Sequence, residues 1–266
     1  MKTLLLALAL AGADVTIAVR NVEAGQKVAA DLAAATGNPN IHVMALNLSD
    51  LASVEALARA WQGPLHILIN NAGVMAIPRS LTQDGFETQF GVNHLGHFAL
   101  TGLLLPRITD RVVTVSSTAH RMGRIRLDDL NWHRRYSPWL AYGQSKLANL
   151  LFTAELARRL TASGSTVRAH AVHPGYSNTH LQGQTGNNFQ LVQTPYMPNQ
   201  MVGDSPFPLW GKPVFLSDSA VAIATAAAVP GCSCRPNCSA TRSLACGRPL
   251  MPNPTLSATV RWGKSA

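Results

Sequence analysis

No cysteine occurs in the first 231 residues of this 266-residue chain; all four, Cys232, Cys234, Cys238 and Cys246, crowd into one short stretch. Their spacing, C-x-C-x3-C-x7-C, fits neither the paired CxxC of a zinc site nor an iron–sulfur run, and no small disulfide framework surrounds it. Charge is scarce too: charged residues make up 13% and hydrophobic residues 47%. That balance excludes charge-driven disorder for the chain as a whole. No run of about 18 consecutive apolar residues exists, which excludes an ordinary membrane-spanning helix. Glutamate is missing from residue 181 onward, where 6 basic residues face 2 acidic ones, against 16 and 11 before it. The net charge is +9 with histidines neutral. Neither half carries a Lys/Arg stripe with interleaved aromatics, so nucleic acid is not indicated as a partner.

Ten of the sixteen prolines also lie beyond residue 180. The stretch PGCSCRPNCSATRSLACGRPLMPNPT has neither a helical nor a strand period and reads as irregular. The opening segment MKTLLLALALAGA, with one basic residue, an apolar run and a small-residue end, imitates a signal peptide. The preferred reading is a helix that ends at Gly12 and passes into a strand, because Asp14, VTIAV and Arg20 lead straight into a regular pattern. Without a signal, the location that follows is cytoplasmic, where thiols stay reduced.

That pattern alternates short apolar strands with amphipathic helices. Strands read at Val15–Val19, Ile41–Leu46, Leu65–Ile69, Arg111–Val115 and Val167–Val172, and helical periods at about 23–35, 50–61, 94–105 and 142–161. The alternation predicts an α/β fold with a mostly parallel, doubly wound sheet covered on both faces. Such sheets bind ligands at the carboxyl ends of their strands. Asn70–Gly73, Ser116–Ser117 and His173–Gly175 each follow directly on a strand.

The segment AYGQSKLANLLFTAELARRL reads as a long helix with Tyr142 and Lys146 at i and i+4, hence on one face. A phenol with its ordinary pKa of about 10 is a poor acid–base group at neutral pH, and an ammonium beside it favours the phenolate and lowers that value. Ser117, at a strand end, is placed to hydrogen-bond a substrate oxygen, and a phenol near a carbonyl or alcohol oxygen makes proton transfer available. The spacing alone fits equally a half-buried aromatic covered by a lysine stem.

The flanking text adds to this. NNAG at 70–73, GVNHLGHFALT at 91–101, VVTVSSTAH at 112–120, AYGQSKLANLLF at 141–152 and HPG at 173–175 come in order at strand ends. As a set they resemble the short-chain dehydrogenase/reductase family, most of all its retinol-dehydrogenase-like and protochlorophyllide-reductase-like branch, which shares the segment DDLNWHRRY ahead of the tyrosine. The resemblance covers about residues 5–185. It implies a Rossmann-type doubly wound sheet and an NADP-dependent oxidoreductase that moves hydride between nicotinamide and a carbonyl or alcohol substrate. On that resemblance Tyr142 is the general acid/base. Lys146 lowers its pKa and binds the nicotinamide ribose, Ser117 orients the carbonyl, and Ser116 turns the chain. Asn93 matches the asparagine that holds a water in the proton relay behind the lysine; a helix N-cap is its other reading. Asn70, Ala72 and Gly73 match the cofactor-side loop, with Gly73 letting the backbone approach the adenosine ribose. Pro174 and Gly175 match the turn beside the nicotinamide, and Thr179 a contact to its carboxamide. Asn47 and Leu48 resemble an Asp-Val or Asp-Leu step near the adenine; Asn for Asp keeps a donor and an acceptor but drops the charge. Arg20 follows its strand directly and no acid occupies positions 19–22. An arginine there pairs with a 2′-phosphate, so NADP is preferred over NAD. A small-molecule partner and no metal follow; a homo-oligomer is left open. His94 and His97 share a helical region, but no carboxylate stands at helical spacing beside them.

The chain departs from the family at both ends. It lacks the first strand and its TGxxxGxG turn, so the fold reads as truncated: the central strand of the order 3-2-1-4-5-6-7 is missing. Three or four buried branched side chains at about 1.5–3 kcal/mol each weigh heavily against a domain stability of about 5–15 kcal/mol. The expectation is that strands two and four close up, or that the N-terminal run substitutes poorly for the missing strand. A start codon assigned too late accounts for this, and a shifted reading frame accounts for the tail; the coding DNA tests both. The division expected is a dinucleotide-binding domain over 1–200 and a largely irregular tail over 201–266, within which LWGKPVFLSDSAVAIATAAAVPG keeps a weak helical run. The alternatives are a catalytically inactive remnant and a non-catalytic nucleotide-binding interaction protein.

Overall fold

The computed structural model describes residues 2–173 and 220–225. Met1–Ala227 form one compact unit and Ala228–Ala266 a second, and every described element lies in the first. The chain opens on α1 (Lys2–Leu10), turns at Gly12 in the left-handed region and enters β1 (Asp14–Val19). Leu5 of α1 is fully buried among Val15, Ile17 and Leu32, so this leucine-rich run is part of the core. Next come α2 (Val22–Thr36), β2 (Ile41–Ala45), α3 (Leu51–Ala60) and β3 (Leu65–Asn70). Asn21 and Asp50 start the two helices by accepting from the N–H groups of Ala24 and Ala52, donors that would otherwise be orphaned.

A loop then leads to the short α4 (Thr88–Phe90), a π-helical turn over Gly91–Leu95 and α5 (Gly96–Leu104). β4 (Ile108–Val115), a 3₁₀ turn over Thr118–Met122, α6 (Pro138–Ala162) and β5 (Arg168–Val172) follow. The last described element is β6 (Ala220–Thr225). The sheet has the order β2-β1-β6-β3-β4-β5. Alternation along β3 divides its side chains between two cores. Leu68 packs with Leu57, Leu100, Leu104 and Leu156 from α3, α5 and α6, while Ile69 packs with Leu5, Ile17 and Leu32 on the side of α1 and α2. Both faces of the sheet are thus covered, as the apolar strand pattern requires.

The centre of the sheet differs from both expected outcomes. Strands β1 and β3 do not close up, and the N-terminal run is a helix. Instead β6 fills the slot between them, antiparallel to both: Ala222 stands opposite Ile17 on one side and Ile69 on the other, and Ile223 opposite Thr16 and Leu68. The segment AVAIAT, read above as part of a helical run, is a strand. Two facing inner edges present unpaired N–H and C=O groups, and any extended segment satisfies them in either polarity. AVAIAT supplies Val, Ile and Thr, which suit that state better than the leucine- and alanine-rich α1 does. A boundary at residue 200 would put β6 with the tail, whereas its ladder partners lie in the first unit.

Candidate active site

The carboxyl ends of β3 and β4 and one face of α6 converge on a set of buried polar groups. Tyr142 and Lys146, on successive turns of α6, are 6% and 4% exposed. Ser117, at the end of β4, caps the 3₁₀ turn by accepting from Ala119 N–H at 3.2 Å. Its hydroxyl neighbours that of Tyr142 and favours the ionised phenol. The 3₁₀ turn lies backbone to backbone against α6 at Gly143: a Cβ there would stand 2.8 Å from Ala119 O. This glycine, between the tyrosine and the lysine in sequence, lets Ser117 reach the phenol.

Burial reverses the pKa expected for the tyrosine. It pushes the Tyr142 phenol up, and the neighbouring Ser117 hydroxyl offsets only part of the effect. Lys146 Nζ stands 5.7 Å from the centre of the phenol ring and donates to Val115 O at 3.1 Å. Burial lowers its own pKa to about 8. The i, i+4 spacing puts lysine and tyrosine on one face, but the ammonium is held by a main-chain carbonyl.

Asn93 does not cap a helix. It is fully buried in the π turn. Its Oδ1 accepts from Val74 N–H at 2.7 Å, and its Nδ2 donates to Val74 O and to Ser145 Oγ, both at 2.9 Å. Ser145 in turn donates to Tyr142 O at 2.8 Å. Ser145, which sequence reasoning passed over, is therefore the link between Asn93 and the tyrosine; its place three residues after Tyr142 on a helix was the available signal. Ser116 does more than turn the chain: its Oγ donates to Lys146 O at 2.8 Å and ties α6 to the end of β4.

Gly73 belongs to the same centre. A Cβ at this position would stand 3.0 Å from Asn93 Oδ1 and 3.5 Å from Lys146 Nζ. Asn70 is fully buried and donates to Thr101 at 2.9 Å and Thr114 at 3.4 Å, and Ala72 is buried in the core, so both fix the loop from beneath. Leu48 is likewise core. Asn47 folds its carbonyl back onto the N–H and hydroxyl of Ser49. Arg20 is exposed at the carboxyl end of β1, just before Asn21. Pro174, Gly175 and Thr179 lie outside the described residues, as do the four cysteines. Among the described residues no group of three or more His, Cys, Asp or Glu is placed to hold a metal ion. His94 Nδ1 pairs with Asn149 Oδ1 at 3.1 Å, and His97 donates from Nδ1 to Asn93 O at 3.0 Å.

The donor set fits the nicotinamide–ribose half of a dinucleotide. Two hydroxyls and an ammonium lie together beside a glycine whose missing Cβ would crowd Asn93 Oδ1, which is chemistry suited to a vicinal diol and a reacting oxygen. Among the described residues the central strand supplies no comparable frame for the diphosphate half. β6 runs antiparallel to both neighbours, so its own carboxyl end lies at the opposite edge of the sheet from theirs.

The sequence model for short chain dehydrogenases matches residues 2–189. Retinol dehydrogenase 12 of Mus musculus is 55% identical over 175 residues, 63% of this chain and 55% of that protein. The chain spans little more than half the length of the curated relatives it matches. Among solved structures, an uncharacterized protein from Mycobacterium Paratuberculosis is 60% identical, covers 64% of this chain and 62% of its own, and superposes with a TM-score of 0.58. The RhlG/NADP active-site complex of Pseudomonas aeruginosa is 26% identical, with coverage of 65% and 67% and a TM-score of 0.51. Among the described residues no helix is long and apolar enough to cross a membrane.

Proposed function

Because the chain belongs to the short chain dehydrogenase family, we propose that it is an NADP-dependent oxidoreductase that reduces the carbonyl of an apolar aldehyde or ketone. The observation that carries this reading is the buried Tyr142 beside Ser117, with Lys146 buried on the same face of α6 and its Nζ 5.7 Å from the phenol ring. A carbonyl oxygen between the two hydroxyls would be held by Ser117. The raised pKa of Tyr142 keeps the phenol protonated at neutral pH, so it donates its proton to that oxygen as negative charge develops there. Lys146 then stabilises the phenolate left behind. When bound, the dinucleotide supplies the hydride for the carbonyl carbon. Tyr142 and Lys146 would hold its ribose, with Asn93 and Gly73 shaping the wall behind them. Arg20, with no acid beside it, supports NADP over NAD. The names of the relatives suggest retinal, for which the all-trans isomer serves as the test compound, as a first substrate.

The test is NADPH consumption with all-trans-retinal by the full chain and by Tyr142→Phe. Loss of a positioned general acid lowers the rate by about a hundred- to ten-thousandfold. Equal rates in the two proteins would refute the mechanism. Cofactor binding without turnover in either would favour the interaction-protein reading.

A further inference from the structure

We propose that Gln89, buried in α4 and touching neither Ser117 nor Lys146, is a positioning residue that fixes Tyr142 against the loop after β3. The inference rests on the oxidoreductase reading above. Gln89 is fully buried. Its Oε1 accepts from Ala76 N–H at 2.7 Å, and its Nε2 donates to Tyr136 Oη at 2.8 Å and to Pro138 O at 2.9 Å. Ala76 lies on the loop after β3, and Pro138 is the first residue of α6. In an α-helix the carbonyl of residue 138 takes the N–H of residue 142, so Gln89 grips the acceptor of the tyrosine's own amide.

One helical turn on, Asn93 repeats the arrangement. It clamps Val74 of the same loop and holds Ser145, which donates to Tyr142 O. Gln89 and Asn93 are thus two rungs at i and i+4 between one loop and one helix, and Tyr142 is suspended between them by both ends of its main chain. Each rung needs an acceptor and two donors on one planar group, which a side-chain carboxamide provides. Glu87 holds the first rung in place. Its carboxylate accepts from Gln89 N–H at 2.9 Å and Phe90 N–H at 2.8 Å, and it lies 3.2 Å from Tyr136 Oη. Tyr136 Oη in turn donates to Ile77 O at 2.9 Å.

The test uses the full chain with Gln89→Met, which keeps length and volume but has neither donor nor acceptor, made alone and with Tyr142→Phe. NADPH-dependent reduction of all-trans-retinal, NADPH binding by fluorescence and thermal melting are measured for each. Gln89→Met is expected to lower kcat roughly ten- to hundredfold with little change in NADPH affinity. In the Tyr142→Phe background it should cost no more than about twofold, because there is no phenol left to position. An equal loss in both backgrounds, or a lowered melting temperature with kcat unchanged, overturns the proposal. If Gln89→Met does not melt cooperatively, Gln89→Glu decides. Its carboxyl regains a donor only when protonated, so its kcat should rise relative to the parent as pH falls, and a constant ratio overturns the proposal. Unchanged activity in Tyr142→Phe alone would instead overturn the oxidoreductase reading, and the positioning role with it.

Discussion

His97 sits in the first turn of α5 with 1% of its surface exposed. Its Nδ1–H is committed to Asn93 O, and Nε2 has no hydrogen-bond partner among the described residues. Burial drives its pKa down from 6.5 to about 4, and the nearby Lys146 and His94 push the same way. The unfolded chain therefore takes up this proton first. Stability associated with the neutral imidazole is complete above pH 6.5 and drains away as pH falls toward 4. The span corresponds to roughly 3 kcal/mol. Melting temperatures of the parent should drop across this range, and those of His97→Phe should drop less; parallel curves would refute the assignment. Lys146 acts on the rate instead. With its pKa lowered to about 8, reduction should decline as pH rises through that value, because the cation that steadies the Tyr142 phenolate is lost. A pH profile of kcat checks this, and a flat profile through pH 8 would contradict it. At this scale the sequence reveals which residues share a face, since Tyr142 and Lys146 are one helical turn apart. It does not reveal which carbonyl the ammonium finds or how strongly burial outweighs a neighbouring charge, because both depend on what packs above them.

Gly143 shows the same division among elements. Alanine in a helix is ordinarily favoured over glycine by about 1 kcal/mol, so propensity alone predicts that Gly143→Ala stabilises α6. A Cβ at this site would stand 2.8 Å from Ala119 O, a main-chain atom that moves only with its whole turn. Overpacking of this kind costs about 1–3 kcal/mol, which exceeds the propensity gain. Gly143→Ala should therefore lower the melting temperature, and it should lower kcat too, since Ser117 rides on the displaced 3₁₀ turn. A more stable, fully active variant would overturn this packing argument. The five parallel strands and α2, α3 and α6 were legible from alternation and helical period, with ends shifted by a few residues. The helix expected over 94–105 was read less well. It is preceded by α4 and a π turn, and that turn aims Asn93 at Val74 and Ser145. Gln89 was overlooked for a related reason. One glutamine among FETQF carries no periodic signal, and its importance appears only when Ala76 and Pro138 come within reach of one amide.

At the scale of the whole sheet, the element that closes the structure is β6. It stands between β1 and β3, so its main chain contributes to both halves of the ladder. Ala222→Pro removes a ladder donor and adds a ring where Ile17 and Ile69 face it from either side. Proline belongs only at sheet edges or bulges, so this variant should lose the cooperative unfolding transition. The same change at an exposed helical site such as Glu23 should cost less, because the first turn of a helix tolerates proline. Cooperative melting of Ala222→Pro at the parent temperature would show that the slot is filled by something else.

By itself the sequence determined the alternating layers, the parallel ladder from β3 to β5 and the residues that meet at the strand ends, because side-chain periods of two and 3.6 are written into a local pattern. Only the tertiary structure decided what occupies the centre of the sheet and how the phenol is held. A strand slot is satisfied by backbone groups that every residue carries, so AVAIAT within an alanine-rich stretch announces nothing until two open edges face it. The protonation of Tyr142 and Lys146 and the grip of Gln89 likewise arise from water excluded and atoms brought together from separate parts of the chain.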